Sequence, residues 1–287
     1  MEIVSSHKAF GGKVVRFEHR SDTCNCVMRC SVFVPPDDAR PSRKAPCLYC
    51  LGGLTASDEN WATKVGAAQE AAAEAGVMLA FPDTSPRGPE VPDGDHPLLG
   101  YGASYYLDAT EAPFERHYRM YSYVTAELPA VIERHFGASD VKSIAGHSMG
   151  GHGALVCYLR NPGAYRSCSA FAPVSNPSAI PLPAPAWRAF EAFLGTPEED
   201  RWAAYDACEL IKAYDGPPID LLVDQGAADP KLHVLGARRL KDAATRNDKV
   251  TLTYREQPGY DHELAHFVNT FAAEHVRYHA ARLLADE

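Results

Sequence analysis

The pentapeptide Gly146-His147-Ser148-Met149-Gly150 constrains this chain more than any other feature, because a strand-like run at 141–145 precedes it and a helix-like run at 153–159 follows. In that setting a G-x-S-x-G marks a strand that turns sharply into a helix and holds a serine oxygen clear of the backbone. Such a turn crowds its neighbours, so small residues must flank it, and Gly146, Gly150 and Gly151 supply them. The following helix aims its first N–H groups at the serine and favours negative charge there. Five residues alone arise by chance; the strand before and the helix after give the pattern its weight.

The rest of the chain repeats that alternation. Strand-like runs recur at 27–34, 47–51, 77–81, 169–174, 219–223 and 250–254, and helix-like runs at 65–75, 123–135, 232–245 and 263–283. The run at 77–81 is apolar throughout, as in a strand buried on both faces. Strands alternating with helices predict an α/β fold: a mostly parallel central sheet with helices on both faces, the α/β-hydrolase plan. No internal repeat or low-complexity linker divides the 287 residues, which predicts one domain over 1–287. Residues 175–200 are Pro-rich with a short helix-like run at 187–193, and read as a small cap-like insertion. The Pro-, Gly- and Asp-rich stretch 82–106 is long enough to expect a function of it.

Charge and cysteine usage narrow the setting. A net charge of −9 without a long basic run disfavours a nucleic-acid partner. No stretch has the apolar length of a membrane span, and the first residues lack a signal-peptide core, so a cytoplasmic location is the simplest expectation. The eight cysteines include Cys24, Cys26 and Cys30 close together and the C-x-x-C of Cys47 and Cys50. The first group runs into the strand-like run 27–34 and the second lies on 47–51, where residues three apart face opposite ways, so Cys47 and Cys50 cannot share a metal. Small buried thiols are expected, with no metal and no cofactor.

A serine nucleophile needs a base, and the base an orienting acid, in the chain order Ser, Asp or Glu, His. Catalytic groups should lie at the carboxyl ends of the strands. After Ser148, only His262 sits in a loop directly beyond a strand, the last one. His152 leaves the turn on the helix and faces away; His275 and His279 read as surface or helix-packing residues. For the acid, Asp224 ends the run 219–223 and Asp229 lies in the loop beyond. The loop position reaches towards the histidine loop and favours Asp229, with a turn-capping role for Asp224. An oxyanion hole requires two backbone N–H groups; Met149, next to the nucleophile, and Leu54, in the Gly52-Gly53-Leu54-Thr55 turn, are the candidates.

One motif competes. His262-Glu263-Leu264-Ala265-His266 is an H-E-x-x-H, the zinc-peptidase signature, which needs both histidines on one helix face. Gly259-Tyr260-Asp261 places His262 before or at the helix start, which spoils that geometry.

With these residues placed, the chain resembles the S-formylglutathione hydrolase family of the carboxylesterase D group, over about residues 47–279. The resemblance rests on Pro82-Asp83-Thr84-Ser85-Pro86-Arg87-Gly88, Asp108-Ala109-Thr110-Glu111 and Tyr118-Arg119-Met120-Tyr121-Ser122-Tyr123-Val124. It continues through Gly146-His147-Ser148-Met149-Gly150-Gly151-His152-Gly153 and Gly259-Tyr260-Asp261-His262. It implies an α/β-hydrolase thioesterase that releases formate and glutathione in formaldehyde detoxification. It implies nucleophile Ser148, acid Asp229 and base His262, and a homodimer. A short-acyl carboxylesterase would use the same site. The glutathione carboxylates call for cations or backbone donors, for which Arg87, Lys64 and the loop 82–106 are candidates. The chain departs from the family at Ala56, where members often carry cysteine, in an acid loop less charged than usual, and in the Pro-rich stretch 181–187.

Overall fold

A computed structural model describes residues 1–39, 44–96, 98–179, 185–197 and 201–285. Nine strands form one sheet: β1 (Glu2–Ala9), β2 (Gly12–Ser21), β3 (Cys26–Val34), β4 (Cys47–Leu51), β5 (Met78–Pro82), β6 (Lys142–His147), β7 (Cys168–Phe171), β8 (Ile219–Gly226) and β9 (Val250–Gln257). Their order across the sheet is β1-β2-β3-β5-β4-β6-β7-β8-β9. β1 to β3 and the β3–β5 pair are antiparallel; every pairing from β5 through β9 is parallel. The fold is thus α/β with a mostly parallel sheet, as the alternating pattern predicts.

β4 and β5 are buried at every position. Helices pack on these two central strands, which matches their burial at every position. β2 differs: Val15, Phe17, His19 and Ser21 are buried and alternate with partly exposed or exposed neighbours. That period of two is the signature of a strand wet on one face. The β1–β2 hairpin, which the helix- and strand-like runs do not include, closes on Phe10-Gly11, both at positive φ. Paired positive φ values are what a two-residue hairpin turn requires.

The helix Asp58–Lys64, also absent from the sequence reading, is set by a capping box. The Ser57 hydroxyl accepts from the Glu59 N–H, and Asn60 Oδ1 accepts from the Ser57 N–H at 2.8 Å. Its Asp58 is fully buried, held by Arg16 at 2.8 and 3.1 Å and by the Ser31 hydroxyl at 2.9 Å. This ties the helix to β2 and β3 and fixes the residues that follow the β4 loop.

Three expected helices are broken. The one at 123–135 opens as a π-helical turn over Tyr123–Glu127 before the α-helix Leu128–Phe136. The expectation at 232–245 splits into Leu232–Leu235 and Ala237–Ala244, because Gly236 takes φ 71° between them. The last helix, expected from 263, runs Asn269–Leu283 behind a wider π-helical turn over Leu264–Val268, with Glu263 still extended. The stretch expected as a cap carries the short turn Pro177–Ala179 and the helix Pro185–Leu194, while 180–184 and 198–200, including most of the Pro-rich 181–187, lie outside the described residues. Among the described residues no helix is long and apolar enough to cross a membrane.

All eight cysteines are free and buried. Burial raises every one of these thiols above its ordinary range, Cys26 to about 11. Among the described residues no group of three or more His, Cys, Asp or Glu side chains could hold a metal ion.

Candidate active site

The carboxyl ends of β4, β6, β8 and β9 converge on one cavity of about 430 Å³. β6 ends at His147 and the helix Met149–Arg160 begins two residues later, leaving Ser148 alone in the turn at φ 58°, ψ −118°. This left-handed backbone is uncommon for a non-glycine residue and is held by its surroundings. The Ser148 N–H donates to the Phe171 carbonyl at 2.9 Å, and the Ser148 carbonyl accepts from the His152 N–H at 3.0 Å. The flanking glycines are steric necessities: a Cβ on Gly146 would collide with the Gly150 carbonyl, and one on Gly150 with the Leu51 carbonyl.

Ser148, His262 and Asp229 form one hydrogen-bonded line. The Ser148 Oγ hydroxyl donates to His262 Nε2 at 2.9 Å, and His262 Nδ1 donates to Asp229 Oδ2 at 2.6 Å. All three residues are buried. Asp229 is itself held: Gln225 Nε2 donates to Oδ2 at 2.9 Å and the Lys231 N–H to Oδ1 at 2.7 Å. Burial pushes the Asp229 carboxyl up, but the hydrogen bonds from His262, Lys231 and Gln225 outweigh it and hold it below the usual carboxylate value. It therefore stays ionised at neutral pH and fixes the proton of His262 on Nδ1.

Asp224 lies elsewhere, and its expected turn-capping role is corrected. β8 runs three residues beyond the expected run, to Gly226, because its ladder with β9 continues to the Gly226–Gln257 pair. Asp224 is thus inside the strand, its carboxylate accepting from Arg255 at 2.6 and 2.8 Å and lying 3.3 Å from His275 Nε2.

His275 and His279 are not surface residues. Both are buried where the last helix crosses the sheet: His275 Nδ1 lies 2.9 Å from Ser169 Oγ, and His279 bridges Ser167 and Ser169 at 2.7 and 2.8 Å. His152 packs between Tyr105 and Phe190, and burial lowers its pKa to about 4.

Leu54 lines the same cavity as Ser148, and Met149 directly follows Ser148 in the chain. Gly53 approaches so closely that a Cβ there would lie 3.3 Å from Ser148 Cβ, and Leu54 follows it in the cavity lining. Thr55, at φ 63°, anchors the turn by donating its N–H to the Gly102 carbonyl at 2.8 Å. Met149 is the first helical residue after Ser148 and is buried.

Neighbours outside the sequence reading complete the cavity. His147 stacks obliquely on His262, ring centroids 4.7 Å apart, and burial holds it well below its ordinary pKa. Leu98 and Tyr105 line the wall from the loop 82–106, together with Val174, Ala186 and Ala56. Of the candidate cations, Lys64 lines the cavity, whereas Arg87 is drawn away to Asp83 at 3.0 Å and to the Ala56 carbonyl at 3.0 Å.

His262 precedes the π-helical turn and His266 lies within it, exposed. With both ring nitrogens of His262 engaged by Ser148 and Asp229, the H-E-x-x-H residues do not share the helical face that a zinc site demands.

A model of the Esterase family matches residues 21–285. An S-formylglutathione hydrolase of Rattus norvegicus is 45% identical over 98% of this chain and 98% of its own length. One of Mus musculus is 46% identical with the same coverage. A solved S-formylglutathione hydrolase structure from Agrobacterium tumefaciens matches at 42% identity and TM-score 0.92, covering 99% of this chain and 100% of that one.

Proposed function

This chain belongs to the S-formylglutathione hydrolase family within the esterases, and from that membership we propose that it hydrolyses S-formylglutathione to formate and glutathione. The observation that carries the mechanism is the hydrogen-bonded line from Asp229 through His262 to Ser148, opening on a cavity. In this reading Ser148 Oγ attacks the thioester carbonyl as His262 Nε2 takes its proton. The ionised Asp229 stabilises the imidazolium and keeps it aimed. The N–H groups of Leu54 and Met149 receive the oxyanion. The tetrahedral adduct collapses, and His262 returns the proton to the departing glutathione sulfur. Water then attacks the formyl-serine, again with His262 as base, and formate leaves. A short-acyl carboxylesterase activity would use the same groups in the same order.

We take the molecule as one domain over 1–287 that works in the cytosol as a homodimer, with 175–200 as a small cap; Ala186 in the cavity wall supports the cap, and family membership supports the dimer.

The test compares kcat/KM for S-formylglutathione with that for p-nitrophenyl acetate, in wild type and Ser148→Ala. A strong thioester preference, with turnover lost by about 10⁶-fold in the variant, is expected. Preference for the aryl ester would favour the carboxylesterase, and a variant that keeps most activity would remove Ser148 from the chemistry.

A further inference from the structure

The mouth of the cavity carries three charges that the acyl-transfer line does not use: Lys64, Lys231 and Glu263. Their positions follow from the machinery itself. Lys64 ends the helix set by the capping box, Lys231 lies two residues past Asp229, and Glu263 directly follows His262. All three are exposed. Lys212 and Lys249 are paired with Glu209 and Asp215, whereas among the described residues Lys64 and Lys231 make no ion pair. In a chain of net charge −9, two unneutralised ammonium groups at one cavity are a local concentration of positive potential.

Resting on the reading of S-formylglutathione as substrate, we propose that this rim selects the glutathione part of the thioester: Lys64 and Lys231 receive its two carboxylates and Glu263 its ammonium group. The charges match in sign and number, two cations and one anion on the protein against two anions and one cation on the tripeptide. The formyl group itself offers few contacts, so preference for the thioester over an aryl ester rests on the leaving group. Charged contacts at a solvent-exposed rim steer and orient more than they add raw affinity, and they weaken in salt. A neutral aryl ester offers no such charges and gains nothing from the rim.

The experiment measures kcat/KM for S-formylglutathione and for p-nitrophenyl acetate in wild type, Lys64→Gln, Lys231→Gln, Glu263→Gln and the double lysine variant, at low salt and at about 0.5 M salt. Each single change should lower the ratio of thioester to aryl-ester kcat/KM about threefold and the double change about tenfold, through KM for the thioester. The wild-type ratio should shrink in salt. An unchanged ratio in the double variant and in salt would overturn the rim while leaving the hydrolase reading intact. A wild-type protein that does not turn over S-formylglutathione at all would overturn that reading and the rim with it.

Discussion

At the scale of single residues, two aspartates five positions apart have separate duties. Asp229→Asn should lower turnover about 10⁴-fold with little change in stability, because the amide can no longer hold the proton of His262 on Nδ1. Asp224→Asn should leave turnover near wild type but lower unfolding stability by about 2 kcal/mol, since it strips the buried partner from Arg255 and His275. Steady-state kinetics beside urea unfolding separates the two; a larger kinetic loss at Asp224 would reverse the assignment. Ala56 gives a third expectation. It lines the cavity at the position where the family resemblance leads one to expect a cysteine, and the eight cysteines present are buried with raised pKa values. Wild type should therefore resist thiol alkylation, and Ala56→Cys should be inactivated about tenfold faster by N-ethylmaleimide. Equal inactivation of both would show another reactive thiol.

At the scale of elements, the loops after the parallel strands carry the site, and the short helix Asp58–Lys64 supports one wall of it. Ser57→Ala removes the hydroxyl that accepts from Glu59 and should cost about 1 kcal/mol in denaturant unfolding. An unchanged midpoint would mean that the Arg16–Asp58 pair alone holds the helix. This helix and the β1–β2 hairpin show where sequence reading stops. Ser148 and His262 were legible because chain order and the strand-end rule leave one candidate each. For Asp229 the rule left two, separated only when β8 ran three residues further in its ladder with β9. The hairpin's alternation at Val15, Phe17, His19 and Ser21 is written in the chain, but two of its four buried residues are polar and mute the signal. The capping box Ser57-Asp58-Glu59-Asn60 was equally available, yet a helix of seven residues has too few apolar positions to declare a period. Nothing in the sequence placed Lys231 and Glu263 beside Lys64, because their meeting depends on how three separate strands end.

At the scale of the whole molecule, buried histidines govern the response to acid. Burial, the largest cause at each, holds His19, His147, His152, His275 and His279 below the ordinary imidazole value. Below pH about 6.5 the unfolded chain binds protons that the native fold refuses, so stability falls as pH falls, by up to about 1.4 kcal/mol per pH unit for each histidine. Asp224 and Asp229, whose pKa values are lowered, add their own loss only below the ordinary carboxylate value near 4. Urea midpoints should therefore drop between pH 7.5 and pH 5, while Asp224 and Asp229 stay ionised; a flat midpoint across that window would contradict it.

The convergence of four strand ends on one cavity also bears on how the chain folds. The proposed oxyanion donor Leu54, nucleophile Ser148, acid Asp229 and base His262 come from segments spread over more than two hundred residues. Contacts that distant in sequence form late, because loop closure must be paid before they hold. A half-assembled sheet leaves these groups apart and cannot carry out the chemistry. Recovery of activity during refolding should thus trail the recovery of helical signal, and the enzyme's own turnover becomes a clock for completion of its sheet.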